Sequence, residues 1–156
     1  MSNHIALFDI EDNEVSERCL EFFAPCDPPT STHQAKKIVK AGRFSKLADK
    51  PELRNAREFW TGLLAQYRPN KPFDGPVSLT LRFCYPFPAS ATKKSRMYGH
   101  AWKVTRPDCS NAAKTVEDIL VALLFMSDDN QVARLVVEKK LSEAPGLYVC
   151  IEKLKD

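Results

Sequence analysis

The stretch RPDCSNAAKTVEDIL, residues 106–120, spaces Asp108, Asn111, Lys114 and Asp118 around a helix-like run, and DDNQV at 128–132 adds Asp128 and Asp129. Carboxylates gathered at one point hold Mg²⁺ or Mn²⁺, because hard cations take oxygen ligands. A phosphodiester needs such a cation to activate water and to neutralise the charge that develops. An ammonium group beside the acids, here Lys114, would further stabilise that charge or the leaving oxygen. The same residues have a plainer reading. Asp108 or Ser110 caps a helix, Lys114 and Asp118 form an ordinary i, i+4 pair, and Asp128 with Asp129 makes a solvated turn. For chemistry, Asp108 and Asp129 must meet at one sheet edge although they stand 21 positions apart.

The elements around these residues set whether that meeting is possible. Apolar residues at Ala112, Ala113, Val116, Ile119, Leu120, Leu123 and Leu124 follow helical spacing over 110–125, with Asn111, Lys114 and Asp118 on the opposite, polar face. A second helix is expected over 51–67, with Pro51 in its first turn and a stripe of Leu53, Ala56, Phe59, Trp60, Leu63 and Leu64. Strands are expected at 18–25, 77–85, about 101–105, 131–140 and 146–154, and the segment AKKIVKAGRFSK reads as a basic strand or loop. In the strand at 77–85, Val77, Leu79, Leu81 and Phe83 alternate onto one face. The pattern predicts an α+β fold, a small sheet covered by two main helices.

Composition bounds the class. At 156 residues and 44% hydrophobic content the chain can bury a core as one domain. No run approaches the roughly 18 apolar residues of a membrane span. The start, MSNHIALFDIEDNE, is acidic and lacks the pattern of a signal peptide, so a cytoplasmic chain with no membrane partner is expected. Cys19, Cys26, Cys84, Cys109 and Cys150 are odd in number, scattered and without a CxxC pair. That argues against a disulfide framework and a structural zinc site, and most of them read as small buried hydrophobes. His33 and His100 lack metal-ligand spacing.

Charge is divided unevenly along the chain. Residues 1–17 hold five acids and no Lys or Arg, so 18–156 carries 23 bases against 15 acids. A basic body suits a polyanionic partner, and the acidic start reads as a flexible tail. Two clusters stand out: Lys36, Lys37, Lys40, Arg43, Lys46 and Lys50, and then Lys93, Lys94, Arg96, Tyr98, His100, Trp102, Lys103 and Arg106. Cations mixed with aromatics form a nucleic-acid groove with a stacking residue, or equally a solvated loop whose Trp102 turns into the core.

Taken jointly, Pro107-Asp108-x-x-Asn111-x-x-Lys114-x-x-x-Asp118-x-Leu120, then Asp128-Asp129-x-Gln131-Val132 and Lys139 or Lys140, resembles the signature of the RusA family of Holliday-junction resolvases. The resemblance covers about 75–153, with a looser fit before it. It implies a single RusA-like domain over 18–156 with a mixed sheet. It further implies a homodimeric, Mg²⁺- or Mn²⁺-dependent endonuclease, often phage-derived, that makes paired nicks in four-way junction DNA during recombination and repair. The catalytic residues it implies are Asp108, Lys114 and Asp129, with Asp108, Asp129 and Asp128 toward the metal and Ser110, Asn111, Asp118 and Gln131 as motif positions. DNA contacts fall to Lys36, Lys37, Lys40, Arg43, Lys93, Lys94, Arg96, Lys103 and Arg106. One position departs from the pattern. The family reads Asp-x-Asp-Asn where this chain has Asp108-Cys109-Ser110-Asn111. A neutral hydroxyl at Ser110 removes one formal charge from the metal site, and Cys109 is too soft a ligand to replace it for Mg²⁺. The alternative is therefore a junction-binding homologue with weakened or absent cutting.

Overall fold

In the computed structural model, residues 18–31 and 36–155 are described. The acidic segment 1–17 and His33 lie outside them. β1 (Cys19–Pro25), β4 (Val77–Pro86), β5 (His100–Trp102), β6 (Val132–Ser142) and β7 (Gly146–Lys153) form one sheet in the order β1-β7-β4-β6-β5. β1 is antiparallel to β7, β7 to β4 and β5 to β6, whereas β4 and β6 run parallel. The sheet is mixed, and two helices accompany it, as the apolar periods predict.

A parallel pair cannot be joined by a tight turn, so the chain must cross over between β4 and β6. The crossover contains α2 (Cys109–Ala122), whose Ala112, Ala113, Val116, Ile119 and Leu120 are buried. α1 (Pro51–Leu64) starts on Pro51 and buries Leu53, Ala56, Trp60 and Leu64. Trp60 meets Phe83 of β4 edge-on, with ring centroids 6.0 Å apart. Leu79, Leu81 and Phe83 from β4 and Leu147, Val149 and Ile151 from β7 complete the core. Ser78 and Cys84 on the other side of β4 are buried too, because this strand lies inside the sheet with a neighbour on each side.

Several expectations change: the helix expected over 51–67 gives way to a 3₁₀ turn at Ala65–Tyr67, and the strand expected at about 101–105 is the shorter β5. The basic segment is a hairpin, β2 (Lys36–Ala41) and β3 (Phe44–Asp49), turning at Gly42 with φ 62°. It forms its own two-stranded sheet. Its Ile38, Phe44 and Leu47 are 75%, 79% and 60% exposed. The cysteines are mostly not core residues: Cys84 is buried, Cys26, Cys109 and Cys150 are half-buried, and Cys19 is exposed. Cys19 and Cys150 lie on the outward face of the β1–β7 pair, Cys109 opens α2, and Cys26 packs against the edge of the core just after β1. Finally, α2 ends at Ala122, not Phe125.

That earlier stop decides where the next residues go. The Phe125 N–H donates to the Leu120 carbonyl at 2.9 Å and the Leu124 N–H to that of Val121 at 2.9 Å. This is the paired bonding of a Schellman end, with Leu124 in the left-handed region at φ 62°. Phe125 and Met126 then enter the core, fully buried, and Phe125 accepts a bond from the Phe73 N–H at 2.7 Å. The chain has reversed alongside its own helix. A left-handed Leu costs on the order of 1 kcal/mol, while glycine adopts that region freely. Leu124 is 45% exposed, so little packing opposes the exchange. Leu124→Gly is expected to raise unfolding free energy by about 0.5–1 kcal/mol in a urea titration; a loss would mean that the Leu124 contacts outweigh its backbone strain.

Candidate active site

Asp108 stands at the N-terminal end of α2 with extended backbone, φ −69° and ψ 145°. Its carbonyl accepts from the Ala112 N–H at 3.0 Å, yet neither its side chain nor that of Ser110 caps the helix. The cap is one of position only. The carboxylate is exposed and accepts from the Asn111 Nδ2 at 3.1 Å. It sits beside the first turn, where the helix dipole favours an anion.

The segment leading into Asp108 is held from β6. Lys139 Nζ donates to the Thr105 carbonyl at 2.7 Å and to the Pro107 carbonyl at 2.6 Å. The Lys103 N–H donates to the Lys139 carbonyl at 3.2 Å, so residues 103–107 are tied to one point on the strand. The Arg106–Pro107 peptide is cis.

The second acidic pair is equally well fixed. Asp129–Gln131 is a single 3₁₀ turn capped by Asp128, whose Oδ1 accepts from the Asn130 N–H at 2.8 Å. Gln131 uses both ends of its amide. Its Oε1 accepts from the N–H groups of Ser127 and Asp128 at 2.7 and 3.0 Å, and its Nε2 donates to the carbonyls of Phe73 and Gly75 at 3.0 and 2.9 Å. One side chain thus pins the turn to the chain ahead of β4. The expected turn before a strand exists, but it is built rather than merely solvated.

Lys114 joins the two acidic regions. Its Nζ lies 2.5 Å from Asp129 Oδ2 and 2.9 Å from Asp118 Oδ1. Asp118 also faces Arg57 of α1 at 3.8 Å. The hydrogen bond from Lys114, together with its charge, holds the Asp129 carboxyl below its ordinary range. The two carboxylates in turn push the Lys114 ammonium well above its usual value. Glu117, one turn beyond Lys114, is pushed up by burial. Among the described residues, no three ligand atoms within 4.8 Å of one another include Asp108, Asp118, Asp128 or Asp129. Lys114 and Asn111 occupy one oxygen each of Asp129 and Asp108 instead.

The predicted phosphate-contacting side chains divide into two kinds. Lys37, Lys40 and Arg43 on the hairpin, Lys93 and Lys94 in the loop after β4, and Arg106 beside Asp108 are exposed. The side chain of Lys36 lies outside the described residues. Arg96 is committed to the fold, donating to Glu143 at 3.2 Å and the Pro88 carbonyl at 3.1 Å above the Phe87 ring. Lys103 donates to Thr105 Oγ1 at 2.7 Å and stands 5.0 Å from the Tyr85 ring centre. Trp102 is 66% exposed, with the Lys140 ammonium 4.7 Å from its ring centre, so it does not turn into the core.

Comparison with known proteins bears on this arrangement. Residues 26–152 match the family described as Endodeoxyribonuclease RusA. The chain belongs to the RusA family. It is 30% identical over 141 residues to the uncharacterized protein YqaN of Bacillus subtilis (strain 168), covering 87% of this chain and 97% of that one. It is also 30% identical over 139 residues to the crossover junction endodeoxyribonuclease rusA of Lactococcus phage r1t, covering 86% and 98%.

Within this RusA fold, two residues of the acidic site, Arg57 and Glu117, are not singled out by the sequence, and the task of a third, Lys139, is not legible there. Arg57 comes from α1, which no motif spacing links to α2. Glu117 was legible as the i+3 neighbour of Lys114. Lys139 was noticed as a motif lysine, but its task of holding two carbonyls needs the strand register to be seen. Because Lys114 lowers the Asp129 carboxyl, that group favours the folded state above its ordinary value of 3.8, and the benefit disappears as pH falls through the lowered folded value. In a carboxyl-carbon NMR titration, Asp129 should titrate below 3.8 in the native protein and return toward 3.8 in Lys114→Met. An unchanged midpoint in the variant would separate Lys114 from Asp129 in solution.

Proposed function

We propose that this chain is a Mg²⁺- or Mn²⁺-dependent endodeoxyribonuclease that resolves Holliday junctions by paired, symmetric nicks, in DNA recombination and repair. The observation that carries the reading is the direct contact of Lys114 with Asp129, in a RusA-family chain whose α2 follows directly on Asp108. The name of the Lactococcus phage relative supports the junction substrate.

The donor set fits a hard cation. Asp108 and Asp129 offer carboxylate oxygens, Asp128 stands next to Asp129, and the half-buried Cys109 is of the wrong softness. These acids would hold Mg²⁺ or Mn²⁺, which when bound neutralises phosphate charge and makes water a better nucleophile. Lys114 gives its ammonium to the phosphate or the leaving oxygen as negative charge builds there. Asp118 keeps that ammonium in place through its 2.9 Å contact. Gln131 and Lys139 hold the two acidic loops in position, and the exposed cations of the hairpin and of residues 93–106 attract the backbone of the junction. Two symmetric nicks need two sites, so the assembly is a two-fold homodimer.

A second reading rests on Ser110, exposed in the first turn of α2. A neutral residue where the family motif carries an aspartate weakens metal binding more than DNA binding, since metal affinity rests on few ligands and phosphate attraction on many cations. The chain is then a slow nuclease, needing high metal concentration and favouring Mn²⁺, or a junction binder without cutting.

On a labelled four-way junction, Asp108→Asn and Asp129→Asn should each lower nicking by about a hundredfold or more while junction affinity holds or improves. Equal loss of binding and nicking would make these acids structural. Ser110→Asp should raise nicking at low Mg²⁺ by about tenfold or more with little change in affinity. Full activity of the unmodified chain at low Mg²⁺ would show that another residue supplies the missing ligand.

A further inference from the structure

We propose that Cys19, Cys150 and Glu152 form a binding site for a thiophilic divalent cation of the Zn²⁺ type, on the outer face of the β1–β7 pair. The site is independent of the acids around α2: β7 is separated from β6 by β4.

The strand register creates it. Cys19 stands opposite Glu152 and Glu21 opposite Cys150 in the antiparallel ladder, so the two cysteines are diagonal neighbours. Alternate β1 residues are exposed, which puts Cys19 and Glu21 on the outward face with Cys150 and Glu152. The two Sγ atoms lie 4.0 Å apart, and both are within 4.8 Å of the Glu152 carboxylate. Tetrahedral zinc with Zn–S bonds near 2.3 Å sets two sulfurs about 3.8 Å apart, close to the spacing found. A disulfide, by contrast, needs the sulfurs at about 2.0 Å and gives the carboxylate no part.

The chemistry separates this site from the first one. Two thiolates and one carboxylate, with water in the fourth position, suit Zn²⁺ or Co²⁺ and exclude Mg²⁺. Glu21 is turned to Tyr148, whose hydroxyl donates to it at 2.6 Å, and so remains a neighbouring charge rather than a ligand. A pocket lined by Arg18, Cys19, Glu152, Lys153, Leu154 and Lys155 leaves two of the three ligands, Cys19 and Glu152, open to solvent, with three cations at its rim. An ion held here bridges β1 to β7, its hydrogen-bonded partner in the sheet.

The test is a Co²⁺ titration of the full, reduced chain, followed by absorption. One equivalent should give a thiolate-to-cobalt charge-transfer band and the intense visible bands of tetrahedral cobalt, both removed by Zn²⁺ and insensitive to excess Mg²⁺. Oxygen-ligated cobalt near Asp108 or Asp129 gives no charge-transfer band, so failure of the nuclease reading leaves this result untouched. Cys19→Ser and Cys150→Ser should each abolish the band, and Glu152→Gln should raise the half-saturating concentration by about tenfold or more. Cys26→Ser should leave it unchanged. Cys19 is exposed, so its variant keeps the fold, which far-ultraviolet circular dichroism checks. Absence of the band in the reduced chain, its survival in Cys19→Ser with the fold intact, or a weak octahedral spectrum would each overturn the proposal.

Discussion

The parallel pairing of β4 and β6 is the constraint on which the acidic site depends. Strands that run the same way must be linked by a crossover, and α2 with its flanking loops is that link. The residues ahead of α2 and those behind it are both tied to β6 or to the chain leading into β4: Lys139 secures 105–107, and Gln131 secures 127–128 against Phe73 and Gly75. The Schellman end at Leu120–Phe125 folds the chain back along α2, which brings Asp129 within reach of a lysine from the helix's second turn. Packing and backbone bonds thus carry the acids, and the acids do little to hold the fold.

Electrostatics then sets the character of the site. One ammonium contacts two carboxylates, and Asp118 shares in a further pair with Arg57 across the two helices. All these groups are at least partly exposed, so their pairing adds little to stability. Its consequence is directional: each partner favours the ionised form of the other, the state that the proposed metal and phosphate binding would need. The adjacent Asp128 is engaged elsewhere, as the cap of the 3₁₀ turn.

Much of this was legible in the residue pattern. The apolar period of 110–125 placed α2, the alternation over 77–85 placed β4, and the joint spacing of Asp108, Asn111, Lys114, Asp118, Asp128, Asp129 and Gln131 gave the family before any coordinates. Other features were not legible for definite physical reasons. A helix end inside an apolar run depends on one left-handed Leu, which composition does not announce. Asp108 takes the N-cap position that the plainer reading allowed it, but its side chain bonds to the Asn111 amide and not to the helix backbone, a choice between near neighbours that spacing does not settle. That Arg96 pairs with Glu143, 47 positions away, was likewise not legible.

Sequence by itself determined the local properties: which residues are apolar at helical or strand period, which motif is present, and the basic balance beyond residue 17. Those follow from nearest neighbours along the chain, where spacing translates directly into a shared face. Tertiary structure alone decided which distant groups meet. Cys19 and Cys150 look unrelated at 131 positions apart, with no spacing to suggest a ligand pair, yet the β1–β7 register sets their sulfurs 4.0 Å apart. Likewise Arg57 reaches Asp118, and Lys139 holds the residues before Asp108, through contacts between separate elements. Strand pairing and helix packing bring together residues whose sequence separation is large, and the chemistry of a site is a property of that proximity.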